Sequence, residues 1–155
     1  MAQIQFFYHS PLSQLRNKIS LKKFLLKTSK QYNRPIDSLN IIFCDDAYLL
    51  SINKQFLNHD FYTDIITFDL ASKKSEPIQA EIYISVERVK DNASKLGASF
   101  IQELHRVVFH GLLHLLGYRD KLKKDQLTMR SMEDKLLMLY FEAKKKPISK
   151  FRPTL

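Results

Sequence analysis

Two histidines four residues apart, His110 and His114, sit inside the apolar run VVFHGLLHLLGY, and an acid, Asp120, follows six residues later. On a helix, an i, i+4 spacing puts both imidazoles on one face, one turn apart, where they can grip a single metal ion. Gly117 stands between them and Asp120. A glycine there can adopt the left-handed conformation that ends a helix, letting the chain double back and bring the carboxylate to the same point. Zinc accepts imidazole nitrogen and carboxylate oxygen at about 2.0 to 2.2 Å, and three protein ligands leave one position for water, the arrangement of a catalytic site.

Written out, HxxxHxxGxxD has the spacing of the extended metzincin motif, with a carboxylate replacing the third imidazole. It departs from that motif where a protease carries its general base: the residue after the first histidine is Gly111, which has no side chain. The sequence therefore argues against a protease, and Gly111 is expected to clear room beside the metal for an anionic group such as a phosphate. Glu103, seven residues before His110 and on the same helix face, is a candidate to support the ligands from behind, and lowering of the pKa of a metal-bound water would supply the nucleophile. Met129 and Met132 read as core packing. Of the other histidines, His105 is expected at a surface or boundary, and His59 in a turn.

The elements that must position these residues follow from periodicity and punctuation. Residues 4–8 form a β-prone run, and a helical pattern through Leu12, Leu15, Ile19, Phe24 and Leu26 ends by Pro35. Strands are expected at residues 39–44, at DIITFDL and at residues 80–85. Helices follow at AYLLSINKQFL, capped by Asp45 or Asp46, from about Val86 to Gly97, from Ser99 to Gly117, and from about Gln126 to Lys145. The result is an α/β (α+β) class: a mixed four-stranded sheet with about five helices, the metal-binding helix lying across it. One domain is expected over residues 1–145, followed by a basic, Pro-broken, flexible tail over 146–155.

Composition narrows the class further. With 155 residues, 45% of them hydrophobic, the chain can bury a core, and a net charge of +9 favours a polyanionic partner. Its one cysteine, Cys44, excludes an intramolecular disulfide and fits a buried strand thiol in a reducing, cytoplasmic setting. No apolar segment reaches the length of a membrane span, and the N-terminus lacks the features of a signal peptide.

Three stretches in order carry a resemblance to a known family. HGLLHLLGYRD is similar to the HGxLHLxGYDH motif of the YbeY endoribonucleases, or rRNA maturation factors. INKQFLNHDFYTDIITFD resembles that family's LNxxYRxKDxPTDVLSFP, and QAEIYISVERVKDNA its LGDIxIxxxxxxxxA segment. The resemblance implies a zinc-dependent, single-strand-specific endoribonuclease with one Zn2+ per chain, acting on rRNA in processing, maturation and ribosome quality control, with RNA and the ribosome or its proteins as partners. It implies His110, His114 and Asp120 as metal positions, Asp120 where the family usually has histidine. Leu57 stands where the family has an arginine, and Ala80-Glu81 replaces Gly-Asp. Thr63, Asp64 and Thr67 match the segment lining the cleft and are candidate substrate contacts, as are the basic Lys22, Lys23, Lys144, Lys145 and Lys146. The alternatives are a metal-stabilised, non-catalytic ribosome-associated RNA-binding protein and, less favoured, a zinc metalloprotease.

Overall fold

Alternation of apolar residues along the strands fixes two faces, and in the two central strands, Ile36–Cys44 and Ile78–Ser85, both faces carry buried residues. The computed structural model describes residues 1–10 and 15–150, with side chains through Glu142. The strands are β1 (Gln3–Tyr8), β2 (Ile36–Cys44), β3 (Ile65–Asp69) and β4 (Ile78–Ser85), and the helices are α1 (Lys18–Gln31), α2 (Asp46–Leu57), α3 (Val86–Leu96), α4 (Phe100–Leu115) and α5 (Lys123–Lys150). The sheet order is β1-β2-β4-β3. β1, β2 and β4 are parallel, and β3 runs antiparallel along the β4 edge, with Ile65 opposite Ile84 and Thr67 opposite Ile82. The expected mixed four-stranded sheet with five helices is the observed architecture.

On one face, Leu39, Ile41 and Phe43 of β2 and Ala80, Ile82 and Ile84 of β4 join α1, α4 and α5 in the main core. On the other, Cys44, Ile66, Phe68 and Tyr83 pack with Leu49 and Ile52 of α2. Cys44 is fully buried, and burial, with Asp45 and Asp46 nearby, pushes its thiol up to about 12. The buried strand thiol read from the sequence is therefore observed.

Local signals set the helix ends. Asp45, Ser85 and Ser99 each accept a backbone N–H of the first turn of α2, α3 and α4, and Gly97 ends α3 in the left-handed region at φ 67°. α1 begins only at Lys18, because Asn17 sits in the left-handed region at φ 58° and interrupts the apolar pattern that continues through Leu15. α1 ends at Gln31, ahead of Pro35, and α5 begins three residues before the expected Gln126. Leu12 and the tail expected at 146–155 lie outside the residues whose placement and side chains are described.

α4 is buried on nearly every side: Leu104, Val107, Val108, Phe109, Leu112, Leu113 and Leu115 are all core. It leaves His110 and His114 half-buried at its C-terminal end. Gly111 faces the sheet. A Cβ there would lie 2.8 Å from Ile82 Cδ1, 3.0 Å from Ile65 Cδ1 and 3.3 Å from Ile82 Cγ2. The glycine is thus required by close helix-to-sheet packing, which corrects the expectation that it clears space for a substrate phosphate.

His105 is another correction. It is 4% exposed and stacks on Tyr140 at 5.1 Å, with Nδ1 2.7 Å from the Ile101 carbonyl. α5 covers the face of α4 that helical spacing alone leaves open.

Candidate metal centre

The C-terminus of α4 ends in a Schellman turn: the Tyr118 N–H donates to Leu113 O at 3.0 Å and the Gly117 N–H to His114 O at 3.0 Å, with Gly117 at φ 103°. Arg34 satisfies a further carbonyl, donating from Nη1 to Leu115 O at 2.7 Å. The same guanidinium pairs with Asp69 at 2.8 and 3.1 Å and donates from Nε to Glu76 O at 2.9 Å. One buried arginine therefore ties the end of α4 to the end of β3 and to the loop leading into β4. After the turn the chain reverses and delivers Asp120.

His110 Nε2 lies 3.0 Å from His114 Nε2, and Asp120 Oδ2 lies 3.3 and 3.2 Å from them respectively. A tetrahedral ion with arms of about 2.1 Å would separate its ligand atoms by about 3.4 Å. The three donors fit such an ion. The chemistry also fits: His110 Nδ1 is 2.6 Å from Glu133 Oε2, so it holds the ring proton toward the carboxylate and turns the Nε2 lone pair into the triad. Burial disfavours the charged form of His110, but the hydrogen bond and charge of Glu133, with the charges of Asp120 and Asp64, raise its pKa above the ordinary value.

Glu133 is the supporting carboxylate that the sequence reading assigned to Glu103. Glu103 faces Arg106 at 3.6 Å, and Arg106 in turn pairs with Glu133 at 3.1 Å and Asp134 at 2.8 Å. The signal for Glu133 was its place in the buried stripe of α5, between Met129 and Leu136, where an apolar residue would be the default. Met129 is core and Met132 packs against it, as expected.

Two clefts meet at the triad. One, of about 490 Å³, runs between α3, α4 and α5 and is bordered by Lys95, Glu103 and Arg130. The other, of about 640 Å³, follows the β3 edge past Thr63, Asp64, Thr67 and Leu57, with Lys74 and Lys121 beside it. Thr63, Asp64 and Thr67 are thus brought to the triad. Asp64 borders both clefts, accepts from Asn92 Nδ2 at 3.2 Å, and has its pKa raised by burial against the lowering charge of His110.

Other expected contacts are not brought together. Lys22 sits over Phe6 of β1, at the sheet edge opposite β3, and Lys23 borders neither cleft. The side chains of Lys144, Lys145 and Lys146 lie outside the described residues. The basic groups beside the triad are instead Lys74, Lys95, Lys121 and Arg130. Glu81 accepts from Tyr83 Oη at 3.0 Å and borders neither cleft.

Fold and site together define an α/β protein with three converging donors that could hold a metal ion, open to two clefts whose lining mixes acidic and basic side chains. The Endoribonuclease YbeY family model matches residues 9–140. An Endoribonuclease YbeY of Cytophaga hutchinsonii is 47% identical over 88% of this chain and 94% of its own length, and one of Porphyromonas gingivalis is 40% identical over 92% and 93%. The solution structure of a Thermotoga maritima protein superposes with a TM-score of 0.64 at 25% identity, covering 97% of both chains. The chain belongs to the YbeY endoribonuclease family.

Proposed function

We propose that this chain is a zinc-dependent, single-strand-specific endoribonuclease that hydrolyses phosphodiester bonds in rRNA during processing, maturation and quality control of ribosomes, in the cytoplasm and in contact with the ribosome. The observation that supports this is the convergence of His110, His114 and Asp120 at two open clefts of a chain in a family named for endoribonuclease activity. When bound there, the metal supplies Lewis-acid stabilisation of negative charge on the phosphoryl oxygens and lowers the pKa of water.

The chain's own residues do the rest. Glu133 fixes the tautomer of His110, and the Gly117 turn with Arg34 fixes where the helix ends and where Asp120 returns. Lys74, Lys95, Lys121 and Arg130 attract the RNA backbone. Asp64, which borders both clefts beside His110 and Asp120, is the group placed to move a proton there. Peptide hydrolysis is disfavoured because Gly111 supplies no base beside His110. Among the described residues, no helix is long and apolar enough to cross a membrane.

Measuring bound metal and cleavage of a labelled single-stranded RNA on wild type, His110→Ala and Asp120→Ala tests the reading. About one zinc per chain is expected in wild type, lost together with cleavage in His110→Ala. Wild type that takes up no metal, or a His110→Ala protein that cleaves at the wild-type rate, refutes it.

A further inference from the structure

The turn between α2 and β3 places large apolar side chains in water. Phe61 and Tyr62 are each 56% exposed, and Leu57 is 40% exposed. Single exposed apolar residues are ordinary, and Tyr62 has the Arg88 guanidinium over its ring at 5.3 Å, but Leu57 and Phe61 stand together on the wall of a candidate functional cleft. Leu57, His59 and Phe61 border the same cleft as His110, His114 and Asp120.

The turn is held rather than loose. Asn53, 2% exposed, donates from Nδ2 to the Phe61 carbonyl at 2.8 Å, and its own carbonyl accepts the His59 N–H at 3.1 Å. Asn58, at φ 57°, takes the left-handed conformation that lets the chain turn there. On this frame the rings of His59 and Phe61 stack, with centroids 5.0 Å apart and planes 22° from parallel. The pair presents an aromatic surface on a turn whose backbone is tied to buried Asn53.

From this placement we infer that Phe61, backed by His59, is a stacking platform for an unpaired base of the RNA and makes the cleft select single strands. The inference rests on the endoribonuclease reading above and adds the element that grips the substrate. An aromatic face beside a basic groove is the combination by which proteins hold single strands: cations follow the phosphates, and a ring accepts any base. Lys121 and Lys74, the latter also paired with Asp69 at 3.1 Å, border this cleft beside Asp64 and Asp120 and supply the cations. A base inside a duplex is already stacked on its neighbours and has no face to offer the ring.

The test uses full-length, metal-loaded protein and fluorescent 12-nucleotide RNAs, one of ordinary sequence and one with abasic ribose over its central residues. Wild type is expected to bind the ordinary strand about tenfold more tightly than the abasic one. Phe61→Leu, which keeps an apolar side chain without the ring, removes that preference, and Phe61→Trp retains it. The salt dependence of binding stays the same in Phe61→Leu, whereas Lys121→Ala lowers its slope by about one.

A Phe61→Leu protein that still prefers the ordinary strand over the abasic one overturns the inference and leaves the exposed group as a contact for a protein partner. If that variant also cleaves RNA as wild type does, the endoribonuclease reading stands while the stacking role falls. Wild type that binds neither RNA overturns both.

Discussion

Ile82 Cδ1 reaches to 2.8 Å from the point where a Gly111 Cβ would be built, so α4 touches the sheet backbone-to-side-chain at the turn next to His110. The contact sets the depth of the metal-bearing helix on β4. Gly111→Ala gains about 1 kcal/mol of helix propensity. It loses more, because Ile82 is fully buried and its branched Cγ2 is also close. Overpacking of this kind costs about 1–3 kcal/mol.

The expected net result for Gly111→Ala is a loss of about 1 kcal/mol in urea unfolding. Ile82→Val removes the atom in the way, so Gly111→Ala should cost less, or stabilise, when made in that background. An equal cost in both backgrounds would show that the clash with Ile82 Cδ1 is not what excludes the side chain.

Glu133→Gln keeps the shape of the group behind His110 and removes its charge. Metal affinity is expected to fall by about 10- to 100-fold, with the fold retained. Competition with a chromophoric chelator reads the affinity, and circular dichroism checks the fold. Glu103→Gln, which touches Arg106 rather than a ligand, should leave metal affinity within a few-fold of wild type.

The raised pKa of His110 gives opposite pH signs with and without metal. In metal-free protein, the His110 interaction contributes stability that is fully present below the unfolded value near 6.5 and is lost as pH rises through the higher folded value. Metal needs the neutral ring, so affinity falls as pH drops through that same folded value. Thermal melts of chelator-treated protein and metal titrations across pH 5 to 9 should therefore trend in opposite directions, and NMR titration of the imidazoles locates the transition.

Arg34→Met leaves Asp69 without its bidentate partner and Leu115 O without its donor. A loss of about 1–3 kcal/mol is expected, since a partly buried carboxylate is left with Lys74, at 3.1 Å, and the Leu115 carbonyl with no donor from Arg34. Burial of Asp69 would raise its pKa, but hydrogen bonds from Arg34 and Lys74 hold it low. Wild type therefore gains stability from Asp69 above the unfolded value near 3.8 and loses it as pH falls through the depressed folded value. The variant should show a weaker loss over that acid range in denaturant melts.

Local chemistry was legible in the sequence: a cap at Asp45 or Asp46, the helix start at Ser99, the stop at Gly97, the strand alternation, and the spacing of His110, His114 and Asp120. Each of these depends on residues within a turn or two of one another. Arg34 and the burial of His105 were not legible, because each is decided by a partner far along the chain, and Glu133 showed only as a charge in the apolar stripe of α5, without its partner His110. Gly111 shows the same limit. Its type was noticed, but its cause lies on β3 and β4, and no helical pattern contains Ile65 or Ile82. Lys22 was misplaced for the same reason, since it belongs to the far sheet edge.

The three donors span only residues 110–120, whereas the groups that orient them come from α5 and from the turn between α1 and β2. Closing so short a segment costs little chain entropy, so the denatured chain keeps a weak grip on the ion. Metal then stabilises the native state only by the difference between its two affinities. Chelation should lower the melting temperature by less than the native affinity alone would imply, and metal can be captured before the sheet is complete.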